Sequence, residues 1–428
     1  MYGQGAPIHS AGDTLTNSLK PKFGLDTVAT HAGRNPAAHA GSVNPPVYHA
    51  STILFDRMED YENRRERFYD GVGYGLYNTP TTLALAEAVA ELEDASRCLV
   101  VQSGTAAIAT TLMAFASSGS HLLVADTAYR TTRNFCEEIL RPLGIDITYY
   151  DAMIGAAIGD LITPATTLVY LESPGSMTFE VQDIPAITEV ARQHGVPTAI
   201  DASWASPVFL RPLALGVDIS IQSGTKYLCG HSDVIFGTAA TSNETLFRRL
   251  KDVAGRLGHR LGGEDCYLAL RGLRTLPLRM QRHQETALRL AEWLAVQPEV
   301  KQVLHPAFPD HPGHSIWRRD FTGASGLFGV LLNPAPRSAV AAALEGMRLF
   351  KMGSSWGGYE SLIVPVDAGY IRAASPGQND GVLLRVHAGL ETVDDLITDL
   401  EEGFVRLRSH GAPELENARP APVRASVR

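Results

Sequence analysis

Lysine is nearly missing from this sequence: six lysines (Lys20, Lys22, Lys226, Lys251, Lys301 and Lys351) stand beside thirty-one arginines. No run of about 18 apolar residues occurs, so a membrane span is not expected. Cysteine is sparse too. Cys98, Cys136, Cys229 and Cys266 lie far apart with no metal-type spacing, which fits a reducing cytoplasm and no metal centre. The formal charge of −9 has no basic stripe to offset it, which argues against nucleic acid or an anionic membrane as partner. The opening residues MYGQGAPIHSAGDTLTNSLK lack the basic and apolar regions of a signal peptide, so secretion is not expected. What is present is a globular composition. With 428 residues, 45% hydrophobic and 19% charged, the chain has core enough for two or three domains.

Residues 1–75 are rich in Gly, Pro and His and lack helical periodicity. PVYHASTILF (residues 46–55) is their best strand candidate, and the segment reads as an arm that wraps something, such as a neighbouring subunit. From residue 76 to about 275 the pattern is α/β. TTLALAEAVAELED has helical spacing; CLVVQ, HLLVAD, TTLVYLES, TAIDASW and VDISIQ are short apolar strands alternating with helices, which predicts a mostly parallel sheet. Residues 276–410 begin with the long helical stretch LPLRMQRHQETALRLAEWLAVQ and add the strands GLFGVLLN and LLRVHAGL, a smaller C-terminal α+β domain. The Pro/Ala-rich residues 411–428 are expected to be a disordered tail.

In open α/β sheets ligands bind beyond the carboxyl ends of the strands. Three such ends carry polar groups: Glu172-Ser173, Asp201, and the turn Ser223-Gly-Thr225-Lys226. A fourth, VVQSGTAA, brings Gly104 and Thr105 to a helix start, where unused N–H groups and the helix dipole suit a phosphate. A partly desolvated lysine has a lowered pKa and can attack a carbonyl. A phosphate cradle, a carboxylate and a nucleophilic lysine together match pyridoxal 5′-phosphate (PLP), whose ring nitrogen needs an acidic partner. Singly these features are ordinary: a surface lysine, a capping aspartate, a capped helix. Their joint placement, with lysine so rare, favours the site. Elsewhere the readings are bland. GVGYG has no strand before it and is no dinucleotide loop. HPAFPDHPGH, with His305, His311 and His314, reads as a solvated Pro-rich loop rather than a metal site, and His231 as structural.

SIQSGTKYLCGHSD, LESPGSMTFEVQDIPAI, SWGGYESL and RGLRTL together resemble the Cys/Met-metabolism family of PLP-dependent enzymes, over about residues 23–408. ESPGS and SWGGYESL are more similar to its β-lyase branch than to its γ-lyases or γ-synthases. The resemblance implies an aspartate-aminotransferase-like, fold type I α/β architecture, with residues 76–275 as the PLP-binding domain and assembly as a homotetramer of catalytic dimers. It implies β-elimination of L-cystathionine to homocysteine, pyruvate and ammonia, in methionine biosynthesis. Lys226 would form the Schiff base and Asp201 would face the ring nitrogen. Gly104, Thr105, Ser223 and Thr225 would hold the phosphate, and Tyr129 would stack on the ring. Tyr74 would reach the neighbouring subunit's site. Arg385 would clamp the substrate carboxylate, with Ser355 and Trp356 lining the pocket.

Two positions depart from the family pattern. Leu76 stands where an arginine usually reaches the partner's phosphate; Arg64, Arg65 or Arg67 is a candidate substitute, although that run also reads as a solvated helix face. Ser354 stands where a β-lyase carries tyrosine, which widens the distal pocket. Cystine, cysteine or another S-substituted cysteine is therefore an alternative substrate, and a γ-lyase a further one. Thr131 replaces a cysteine of methionine γ-lyases and speaks against that activity. A catalytically silent cofactor-binding regulator is the reading from another class.

Overall fold

The computed structural model describes residues 23–366 and 381–410; the expected tail at 411–428 and the first residues of the arm lie outside the described residues. The larger sheet contains β1 (Arg97–Val101), β2 (His121–Ala125), β3 (Asp146–Tyr150), β4 (Thr166–Glu172), β5 (Thr198–Asp201), β6 (Ile219–Gln222) and β7 (Gly237–Thr241). Their order is β1-β7-β6-β5-β4-β2-β3. β2 to β6 pair in parallel, whereas β7 runs antiparallel to both β6 and β1.

Alternation of side chains sorts each strand between two cores. Leu99, Val101, Leu122, Val124, Leu168, Tyr170, Ile219 and Ile221 face one cluster, which includes residues of helices Gly104–Phe115 and Glu244–Arg256. Val100, Leu123, Ala125, Val169, Leu171 and Ile200 face the other, with helices Pro80–Leu92 and Ile184–Gln193. Both faces are covered, so the strands read as near-continuous apolar runs, as parallel sheets require.

A second sheet holds β8 (Val300–Leu304), β9 (Leu327–Leu332), β10 (Leu362–Pro365) and β11 (Val382–His387), in the order β10-β11-β9-β8 and antiparallel throughout. It has its own core, in which Phe328, Val330, Leu384 and Val386 meet Leu290, Val340 and Leu400 from helices Leu276–Ala295, Arg337–Glu345 and Val393–His410.

Two expectations are corrected. PVYHASTILF forms no strand. Its backbone is stitched to helix Pro80–Leu92 and to the turn before it: Tyr48 N–H donates to Thr81 Oγ1 (2.9 Å), Thr81 Oγ1 donates to Pro46 O (2.9 Å), and Gly75 N–H donates to Ser51 O (2.8 Å). β-Branched composition suits any extended segment, paired or not. The HPAFPDHPGH loop is solvated only in part: Pro309, Asp310 and Pro312 are exposed, whereas His305 and His311 are buried. His305 packs among the rings of Trp204, Phe308 and Phe328, and both histidines accept backbone N–H groups at Nδ1. Among the described residues no group of three metal-ligating side chains occurs, and no helix is long and apolar enough to cross a membrane.

Candidate active site

Because β4, β5 and β6 are parallel neighbours, their carboxyl ends deliver side chains to one edge. Glu172 and Asp201 are register partners, and Asp201 is opposite Ile221. The loop leaving β6 is tied to the loop leaving β5 by Ser223 N–H, which donates to Ser203 Oγ at 2.6 Å. Lys226 N–H then donates to Ser223 O (3.0 Å), closing a tight turn. The Thr225 hydroxyl pins that turn to the entrance of β7, donating to Phe236 O (3.2 Å) and accepting Phe236 N–H (3.1 Å).

Beside this turn starts helix Gly104–Phe115. Ser103 caps it by accepting Ala106 N–H (3.0 Å), which leaves the N–H groups of Gly104 and Thr105 as donors the helix does not use. Gly104 is required by close approach: a Cβ there would lie 2.5 Å from Ser223 Oγ. Helix start and turn thus form one cradle suited to an anion.

The Lys226 amine donates to Ser355 Oγ (2.8 Å) and lies 5.2 Å from the Trp356 ring centre. Burial, reinforced by the Arg385 charge and opposed by Asp201, lowers its pKa to about 8. Burial raises the pKa of Asp201, against the donors of Ser203 and the attraction of Lys226. Glu172 is driven well above the carboxylate range by burial and by Asp201, although it accepts N–H groups from Tyr129 (2.7 Å) and Ser176. Anchored by that bond, Tyr129 opens helix Arg130–Phe135. Arg385 enters from β11 in the second sheet; its Nη2 donates to Gly353 O (3.0 Å) and Ser355 O (3.1 Å), and burial lowers its pKa.

A cleft of about 220 Å³ gathers Gly104, Thr105, Tyr129, Asp201, Ser223, Thr225, Lys226, Trp356 and Arg385, and Ser354 forms part of its wall. Ser355 joins through Lys226. Tyr74 does not join: it is exposed and lines a different groove with Tyr61, Arg64 and Arg65. Leu76 turns inward, bordering a small cavity with Tyr77 and Lys251. His231 is exposed and lies outside the cleft, with Nδ1 2.7 Å from Cys229 O. Sequence reasoning missed Ser103, Ser203, Ser176 and Met177, which also line the cleft. Ser103 was findable as the cap of GTAA. Met177, held at φ +71° in the strained left-handed region, left no signal.

Residues 26–405 match the family described as Cys/Met metabolism PLP-dependent enzymes. A cystathionine beta-lyase of Salmonella typhimurium is 44% identical over 90% of this chain and 98% of its own. An L-alanine/L-glutamate racemase of Wolbachia pipientis is 40% identical over 89% of this chain and 97% of its own. Among solved structures, the cystathionine gamma-lyase of Lactobacillus plantarum complexed with L-serine superposes with a TM-score of 0.82 at 31% identity, covering 90% of this chain and 100% of that one.

Proposed function

The chain belongs to the Cys/Met metabolism PLP-dependent enzymes, and from that premise we propose that it is a carbon–sulfur lyase that carries out β-elimination on L-cystathionine. The cleft fits the cofactor. Gly104 lets the helix start close on the Ser223 turn, unused N–H groups open the helix there, and Asp201 and Lys226 lie on the same cleft. Lys226 would hold PLP through its amine, Gly104, Thr105, Ser223 and Thr225 its phosphate, Asp201 its ring nitrogen and Tyr129 its ring face. Bound there, PLP supplies an aldehyde carbon for the substrate amine and a ring that accepts the electron pair left by a departing Cα proton.

The chain's own groups do the rest. Arg385, buried at the cleft, orients the substrate α-carboxylate. Lys226, with a pKa of about 8, is partly neutral near physiological pH, so its Nζ can take the Cα proton. Ser355 fixes where that nitrogen sits. As the Cβ–S bond breaks, a proton returned by Lys226 or a tyrosine neutralises the thiolate, which leaves as homocysteine. Water then converts the remaining three-carbon fragment to pyruvate and ammonia.

The observation that carries this reading is the desolvated Lys226 amine sharing a cleft with Asp201 and Arg385. Catalytic dimers paired into a homotetramer would let the exposed Tyr74 serve a neighbouring site, and the cytoplasm is the compartment in keeping with four free cysteines. Because Ser354 rather than an aromatic side chain stands at the cleft wall, other S-substituted cysteines are the second reading. Product analysis over cystathionine, cystine, cysteine and alanine tests both. Pyruvate from cystathionine at the highest kcat/KM is expected; 2-oxobutyrate would mean γ-elimination, and D-alanine without keto acid would mean racemisation.

A further inference from the structure

Behind the Lys226 turn lies a histidine that the reaction does not call on. His387 ends β11 two residues after Arg385, so both point to the same face of the strand. They grip one loop. Arg385 Nη2 takes the carbonyls of Gly353 and Ser355, and His387 Nε2 accepts the N–H of Gly357 at 3.0 Å. The other ring nitrogen, Nδ1, is 3.1 Å from Glu360 O, which can only accept. Nδ1 therefore carries the proton and Nε2 the lone pair. Burial, followed by the neighbouring His283, Arg385 and Lys226, keeps the ring neutral, so a second proton does not compete with the Gly357 N–H.

The same loop leans on the lysine. Gly357 has φ +86°, and a Cβ there would come within 2.9 Å of Lys226 Cα and C. Glu360 accepts the Ser232 hydroxyl at 2.7 Å, closing the loop onto the residues that follow Lys226. Between Gly353, held by Arg385, and Gly357, held by His387, the loop presents Ser355 Oγ to the Lys226 amine at 2.8 Å. The chain of contacts runs from His387 through the Gly357 amide and the Ser355 hydroxyl to Nζ.

We propose that His387 is a positioning residue for Lys226, setting the Ser355–Lys226 hydrogen bond through the backbone of Gly357. The proposal rests on the role of Lys226 given above. His387 touches no reacting atom; it fixes a loop whose displacement by a fraction of an ångström would misplace the base.

The test reads the lysine itself, in the cofactor-free chain, by pH-dependent competitive acetylation with mass-spectrometric quantification at Lys226. Ser355 Oγ accepts from Nζ and so favours the ammonium form. Ser355→Ala and His387→Leu should each lower the labelling pKa by about half a pH unit, and the double variant no further. His387→Gln, which restores an acceptor at the Nε2 position, should return the pKa to its original value. In the loaded enzyme His387→Leu should lower kcat about tenfold with KM changed less than twofold. Additive shifts in the double variant, an unshifted Lys226 in His387→Leu, or a glutamine variant behaving like leucine would each overturn the proposal. Should the leucine variant not fold, imidazole ¹⁵N spectra of the original chain decide: the Nδ1–H tautomer supports it and the Nε2–H tautomer ends it. Failure of the lyase reading itself would appear separately, as labelling results that hold while no elimination product forms.

Discussion

Replacing Lys226 with methionine should stabilise the cofactor-free chain near neutral pH while abolishing turnover. The amine is pushed from 10.5 to about 8, mainly because its charge is buried. That drop corresponds to about 3 kcal/mol of disfavoured ammonium in the folded state. Between pH 8 and 10.5 the unfolded chain holds this proton and the folded chain does not. Unfolded protein then binds more protons, so this group makes stability climb as pH rises through the window. Below pH 8 the whole cost is present. Methionine has a similar volume and no charge to bury, and it loses the hydrogen bond to Ser355, worth about 1 kcal/mol. The variant should thus be more stable by about 2 kcal/mol at pH 7, and the gap should close and slightly reverse above about pH 10. Lys251, also lowered to about 8, is present in both proteins and cancels. Urea unfolding followed at several pH values between 7 and 10.5 measures the gap. A methionine variant less stable at pH 7, or a gap independent of pH, would refute the claim that Lys226 is held desolvated.

Asp201→Asn removes the charge that supports the Lys226 ammonium, so the lysine's labelling pKa should fall below about 8 and turnover should drop at least tenfold; an unchanged labelling pKa would mean the two groups do not sense each other. Gly104→Ala puts a methyl 2.5 Å from Ser223 Oγ, so circular dichroism should stay native while retention of PLP on equilibrium dialysis weakens about tenfold or more. Lys251→Ala leaves Tyr77 O and the Asn78 side-chain carbonyl, now bonded at 2.8 and 2.9 Å, without their donor. Asn78 in turn donates to Phe68 O and Gly71 O, so the variant should exchange amide hydrogens faster across residues 67–78. Relief of the buried Lys251 charge offsets the lost bonds and holds the net stability change at pH 7 to about 1 kcal/mol. Unchanged exchange across that segment would refute the bracing role.

The parallel sheet was legible because strands buried on both faces are mostly apolar, as the centres of HLLVA and TTLVYLE are. In ISIQ the buried Ser220 and Gln222 are tolerated because both donate to Glu93. β7 was not. Its sequence GTAAT is small and weakly apolar, and only its pairing between β1 and β6 makes it a strand. PVYHASTILF misled for the opposite reason, since strand-like side chains cannot reveal that the partner is the hydroxyl of Thr81. Within the site, Lys226, Asp201 and Gly104 announced themselves by ending strands or opening a helix. Arg385, Ser355 and Trp356 came only from resemblance. They belong to the second sheet and its loops, well over a hundred residues downstream, and no local pattern says that β11 will face the Lys226 turn. Ser203 escaped because its role is to accept a backbone N–H across the two strand ends, a contact that exists only once the sheet has formed.

The central claim is that the amine at position 226 carries the cofactor. Borohydride reduction of the PLP-loaded chain, followed by peptide mass mapping, should place a single phosphopyridoxyl label on Lys226. A label on Lys251, the other lysine with a lowered pKa, or on no lysine at all, would contradict the account.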